Sequence, residues 1–225
     1  IDWDSFSLET PEVMVRTGGK SLREHQKRAL DAVTTGLSTT DRGKLIMACG
    51  TGKTFTSLRI AEAMAGPGGR VLFLVPSIAL LSQTLMEWSA ESEVPLRSFA
   101  VCSDAKVGKG RKRTSLSEDI SVVDLAIPAT TDGAALAYRL TRRPAPVNGT
   151  APMTVVFSTY QSIDAVAQAQ ELGAPGFDLV ICDEAHRTTG ATVAGTDESA
   201  FVRVHNDDYI HASKRLYMTA TPPHL

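Results

Sequence analysis

Met47-Ala48-Cys49-Gly50-Thr51-Gly52-Lys53-Thr54 is the stretch on which the fold turns. Ahead of it, residues 44–49 are a short apolar run that reads as a buried strand. Behind it, residues 53–65 read as a helix stopped by Gly66-Pro67-Gly68-Gly69. Strand, glycine-bearing turn and helix are the context that a phosphate-binding loop requires. The glycines let the backbone curl so that its N–H groups face an anion, and the helix N-terminus adds a partial positive charge. In such a loop Lys53 reaches the β- and γ-phosphates of a nucleotide, and the Thr54 hydroxyl ligates magnesium. The leading glycine of the full pattern would fall at position 47, where this chain has Met.

The same rhythm continues outward. Residues 70–75, 97–102, 153–158, 178–182 and 215–218 read as further strands. Residues 77–91, 132–142 and 160–172 read as helices, and 197–205 as a short one. An earlier helix starts at Ser21, which can cap it with Glu24 three positions on; Leu22, Ala29, Leu30 and Val33 give its apolar face. Strands alternating with helices predict an α/β fold with a mainly parallel central sheet covered on both faces. Residues 103–128 and 143–152 are long loops, and 1–20 are a lead-in to a single domain at 21–225.

The bulk numbers bound the function classes. With 225 residues, 43% of them apolar, the chain can bury one large core. A net charge of -2 offers no global field for nucleic acid, so such a partner would need a local patch. Positions 106–113 carry five basic residues and divide evenly between a solvated loop and a nucleic-acid contact. No apolar run approaches the ~18–20 residues of a membrane span. The acidic start lacks the features of a signal peptide, and Cys49, Cys102 and Cys182 are widely spaced, as expected of core thiols in a reducing cytoplasm.

A second constellation follows the run Phe177-Asp178-Leu179-Val180-Ile181-Cys182. There an apolar strand delivers Asp183-Glu184-Ala185-His186 to its C-terminal end, where parallel α/β sheets bind ligands. Asp183 would hold the magnesium shell, and Glu184 would polarise an attacking water.

With these two sites in order, the chain resembles the first RecA-like lobe of superfamily 2 DEAD/DEAH-type helicases and translocases. That resemblance covers residues ~20–223 and makes Met47 unsurprising, since the first motif there often lacks the leading glycine. It implies an ATP-hydrolysing lobe that needs magnesium, with Lys53, Asp183, Glu184 and His186 as catalytic residues. Leu22-Arg23-Glu24-His25-Gln26 looks like the adenine-reading motif, with Gln26 making a two-pronged base contact and Arg23 assisting. Cys49, Gly50, Thr51, Gly52, Lys53 and Thr54 would surround the phosphates, with Thr54 and Asp183 on the metal. Val75-Pro76-Ser77 and Ser158-Thr159-Tyr160-Gln161 look like nucleic-acid motifs, which nominates Ser77, Ser158 and Thr159 as contacts. Thr219-Ala220-Thr221-Pro222 looks like the coupling motif, with Thr219 and Thr221 linking nucleotide to track.

Arg42 to Thr54 and Asp2 to Glu12 are similar, more narrowly, to restriction enzymes of the type ISP class, in which nuclease, helicase, methyltransferase and target recognition share one polypeptide. This implies double-stranded DNA as partner and a second RecA-like lobe carrying the arginine finger, so residues 1–225 alone are expected to turn over little ATP. A nucleotide-responsive binding module without turnover, or an RNA helicase lobe, remain the alternatives. His25, His205, His211 and His224 are expected as ordinary surface or core residues, Trp88 as core, and 207–209 as a simple turn. Tyr160 is either a base-stacking or a packing residue. Lys53→Ala is expected to spare the fold, with Lys53 at a solvent-open site.

Overall fold

A computed structural model describes residues 13–14, 20–103, 127–185 and 202–220. The expected basic loop at 106–113, His186, Thr221 and most of the lead-in and of the short helix at 197–205 lie outside the described residues. In chain order the elements are β1 (Val13–Met14), α1 (Glu24–Thr39), β2 (Arg42–Ile46), α2 (Lys53–Met64), β3 (Arg70–Val75), α3 (Ile78–Glu91), β4 (Leu96–Val101), β5 (Ala129–Thr130), α4 (Gly133–Thr141), β6 (Met153–Thr159), α5 (Ile163–Glu171), β7 (Phe177–Cys182) and β8 (Ala212–Thr219).

The strands form one sheet in the order β1-β4-β6-β3-β7-β8-β2, with β5 against β4. Every described pairing is parallel except β1 with β4. This is the expected RecA-like layout. Alternation along β3 shows how it is built: Val71, Phe73 and Val75 pack on one face, Leu72 and Leu74 on the other. Helices α1, α2 and α3 cover the first face, and α4 and α5 the second. Three aromatics hold the first layer: Trp88 stands edge-on to Phe73 at 5.2 Å and to Phe157 at 5.5 Å.

Several boundaries differ from expectation for local reasons. Helix α1 begins at Glu24 rather than Ser21, because Gln26 at its third position accepts the Arg23 backbone N–H at 2.9 Å and closes the helix start there. Strand β2 runs two residues earlier than expected and ends at Ile46, so Cys49 lies on the loop and is exposed, not a core thiol. A single 3-10 turn, Tyr160–Ser162, precedes α5, and β8 extends from Ala212. The segment at 207–209 is more than a turn. Asp207 pairs with Arg42 at 2.7 Å and with the buried Arg215, clamping the edge strand β2 and its neighbour β8 to one carboxylate.

Trp88 ties this core to the loop after β2. It is fully buried, and its indole N–H donates to the Thr54 carbonyl at 3.2 Å, in the first turn of α2. Trp88→Phe keeps most of the apolar contact but removes the indole donor, leaving that carbonyl with the Ser57 hydroxyl at 2.7 Å. We expect it to lower unfolding stability by about 1–3 kcal/mol in a urea titration; an unchanged midpoint would show the bond to be dispensable.

Candidate nucleotide site of a helicase lobe

Except for Leu22–Gln26 at the start of α1, the motif-bearing segments follow the C-terminal ends of parallel strands, so the sheet gathers them along one edge. The loop from β2 to α2 curls through Gly50 at φ 75° and Gly52 at φ 83°, left-handed values that favour glycine. Gly52 also has no room for a side chain, since a Cβ there would stand 2.4 Å from Gln26 Nε2.

Lys53, first residue of α2, reaches the acidic end of β7. Its Nζ donates to Glu184 Oε1 at 2.9 Å and stands 3.4 Å from Asp183 Oδ1. Lys53 is remote in sequence from the two adjacent carboxylates, and all three are largely out of water: side-chain exposures are 13%, 25% and 11% for Lys53, Glu184 and Asp183. Lys53 is therefore not solvent-open, contrary to expectation, and its loss would leave two carboxylates facing each other. Burial works against the Lys53 charge, but Asp183 and Glu184 outweigh it and hold the ammonium above its ordinary range. Burial pushes the Asp183 carboxyl above the usual carboxylate range; Lys53 opposes that shift and Glu184 adds to it.

Two features set the acidic end apart from a solvated turn. Asp183 Oδ1 is buried and accepts no hydrogen bond. A hard cation is what such an oxygen lacks, so the donor set suits magnesium. Glu184 adopts φ 51°, a left-handed conformation that costs a non-glycine residue roughly 1–2 kcal/mol. That backbone turn accompanies the Glu184 contact with Lys53.

The remaining expected residues divide. Gln26 is buried with both ends of its amide engaged: Oε1 caps α1, and Nε2 donates to the carbonyls of Thr51 at 3.3 Å and Gly52 at 3.2 Å. A two-pronged adenine contact would have to exchange these bonds. Arg23 is exposed at the start of α1. An open groove of about 470 Å³ lies beside the loop, lined by His25, Arg28, Ala29, Leu45, Ile46, Met47, Ala48 and Thr51. Ser77 is exposed and caps α3. Ser158 and Thr159 are buried, their hydroxyls donating to the Thr159 carbonyl and to Ser162 Oγ, so in this conformation neither side chain faces a track. Tyr160 is a packing residue: it is fully buried and its hydroxyl donates to the Asp183 carbonyl at 2.9 Å, which leaves no ring face for a base. Thr219 is buried at the end of β8, where its carbonyl accepts the Met47 N–H at 3.1 Å.

Sequence reasoning missed His25, whose Nε2 stands 3.0 Å from the Thr51 carbonyl. A histidine beside Gln26 was the only hint. It also missed the clamp of Arg42 and Arg215 on Asp207, which no periodicity announces.

Residues 19–224 match the family described as Type III restriction enzyme, res subunit. The chain belongs to this family. A protein of African swine fever virus described as "Probable helicase" is 31% identical over 200 residues, 89% of this chain and 19% of the viral protein. Among solved structures, the ATP-dependent Type ISP restriction-modification enzyme LlaBIII bound to DNA aligns with a TM-score of 0.78 and 43% identity, over 98% of this chain and 14% of that one. A nuclease-deletion mutant of the Type ISP enzyme LlaGI, in complex with a DNA substrate mimic, aligns at 0.71 and 41%, over 92% and 18%. The chain thus spans about a fifth or less of the proteins it matches. Family, fold and these likenesses make it a superfamily 2 helicase-type lobe. Among its described residues no helix is long and apolar enough to cross a membrane.

The raised Asp183 carboxyl carries a stability consequence. A group that binds its proton more tightly when folded costs the fold stability as pH rises from its unfolded to its folded pKa. Asp183→Asn is therefore expected to leave the ligand-free melting temperature equal or higher, while removing any stabilisation by magnesium and nucleotide. A lower melting temperature without ligand would contradict that balance.

Proposed function

We propose that this res-subunit lobe binds ATP with magnesium and contributes to hydrolysis that drives movement on double-stranded DNA within a restriction enzyme. The observation that carries this reading is Lys53 held between Asp183 and Glu184 beside a loop whose backbone curls through Gly50 and Gly52. In this proposal Gly50, Thr51, Gly52 and Lys53 take the phosphates, and Lys53 exchanges its carboxylate partners for phosphate oxygens. Thr54 and Asp183 hold magnesium, which supplies charge neutralisation on the phosphates. Glu184, released from Lys53, orients the attacking water and accepts its proton. His186, Thr219 and Thr221 then couple the nucleotide site to the track, and Ser77 at the start of α3 offers a phosphate contact to DNA. Nuclease and methyltransferase domains and a second RecA-like lobe complete the parent protein, which acts in the cytoplasm. The second lobe would supply the arginine finger.

Two measurements test this. Cys49 is the exposed one of the three cysteines and sits in the loop, while Cys102 and Cys182 are buried. Alkylation of Cys49 should slow in the presence of ATP and magnesium and should not slow with AMP; equal rates in all three conditions would remove the phosphate-loop assignment. In the enzyme with both lobes, Glu184→Gln should retain ATP binding while lowering DNA-stimulated turnover by about two to three orders of magnitude. Turnover within a few-fold of wild type would take Glu184 out of the chemistry.

A further inference from the structure

A phosphate-binding loop turns its N–H groups toward the anion, so its carbonyls point back into the protein and need donors there. In this chain α1 supplies donors to two of them, one of which, the Gly52 carbonyl, also accepts the Thr56 N–H and hydroxyl at 3.0 Å each. The Thr51 carbonyl receives His25 Nε2 at 3.0 Å and Gln26 Nε2 at 3.3 Å, and the Gly52 carbonyl receives Gln26 Nε2 at 3.2 Å. A carbonyl oxygen only accepts, so the proton on His25 resides on Nε2. Gln26 is fixed in turn by the Arg23 N–H on its Oε1 and by burial. The contact is close: a Cβ at Gly52 would stand 2.4 Å from Gln26 Nε2, so the amide would have to shift to admit a methyl group.

We propose that His25 is a positioning residue which, with Gln26, fixes the curl of the phosphate loop from α1. The pair acts on the phosphate end of the nucleotide through the Thr51 and Gly52 carbonyls, whatever base is attached. His25 touches no reacting atom in this scheme; it holds the loop whose N–H groups would. The inference rests on the reading that this loop takes a triphosphate, and the test separates the two.

Magnesium tripolyphosphate, which carries no base, is titrated calorimetrically into the 225-residue chain beside magnesium ATP. The variants are His25→Phe, which keeps a ring and removes the donor, and His25→Gln, which restores an N–H donor. His25→Phe is expected to weaken both ligands by the same factor, about fivefold, the equivalent of one net hydrogen bond. His25→Gln is expected to recover most of that loss. If His25 served the base instead, ATP affinity would fall while tripolyphosphate affinity stayed, and the proposal would be overturned. Wild-type affinity for both ligands in His25→Phe would overturn it too, as would equal losses in His25→Phe and His25→Gln. Failure of the unmodified chain to bind either ligand would instead overturn the triphosphate reading on which the inference stands.

Discussion

The ammonium of Lys53, caught between two carboxylates at the end of a buried strand, is the interaction on which the site depends. Asp183 is nearly enclosed, and enclosure alone favours its neutral form. Without a cation nearby, the strand end would carry two acids in a low-dielectric pocket. Lys53 supplies that cation in the ligand-free state. It does so imperfectly, since Asp183 Oδ1 keeps no hydrogen bond and Glu184 sits at a left-handed φ of 51°. An arrangement that is tolerable but incompletely satisfied is what a nucleotide and its metal can displace. A fully bonded one would compete with them.

Three separate supports hold Lys53 where it can make this bridge. From below, Trp88 in the aromatic layer donates to the Thr54 carbonyl, which pins the first turn of α2 to the core. From one side, α1 grips the loop carbonyls through His25 and Gln26. From the other, the parallel ladder of β2 on β8 brings the Met47 N–H onto the Thr219 carbonyl, so the strand that launches the loop is zipped to the strand that ends at Thr219. The far end of that ladder is closed by Asp207, which meets Arg42 and the buried Arg215. An arginine enclosed to this degree needs a carboxylate or several carbonyls, and Arg215 has both: Val204 and Ile210 accept from it as well.

The parallel sheet was legible in the sequence because its strands are short apolar runs buried on two faces, such as the run that became β3 at Arg70–Val75. The glycine turn at Gly50–Gly52 and the acidic strand end were legible as segments for a different reason: each is contiguous in sequence, and the strand before it delivers it to the sheet edge. What stayed hidden was contact across the sequence. Nothing in Asp207-Asp208-Tyr209 says that the first of the three will face two arginines, because that pairing is set by tertiary geometry. Gln26 and His25 were read by motif and by composition, and both readings missed that the carbonyls of the loop need donors. Boundaries moved for similar reasons, as at α1, where the Gln26 amide places the helix start at Arg23 rather than at Ser21.

Tyr160 shows how such a hidden contact changes a functional argument. By resemblance the segment Ser158-Thr159-Tyr160-Gln161 belongs to the track. In the structure its first two hydroxyls are bonded inward, and the Tyr160 hydroxyl donates to the carbonyl of Asp183. Burial pushes the Tyr160 phenol well above its ordinary range, so it remains a donor at any working pH. The end of β6 is therefore joined to the backbone of the acidic residue by one buried bond, across β3, whose Leu72 lies in register between Val156 and Val180. A displacement of Asp183, such as a metal exchanging for Lys53 would cause, must either break that bond or carry the turn after β6 with it. The second course costs less in a packed interior, since a stranded buried acceptor costs about 1–3 kcal/mol. Communication between this segment and the nucleotide site can thus run through a buried phenol and a main-chain carbonyl. On the proposed function the segment would act as a strut between the nucleotide site and a nucleic-acid surface, through its conformation rather than its hydroxyls.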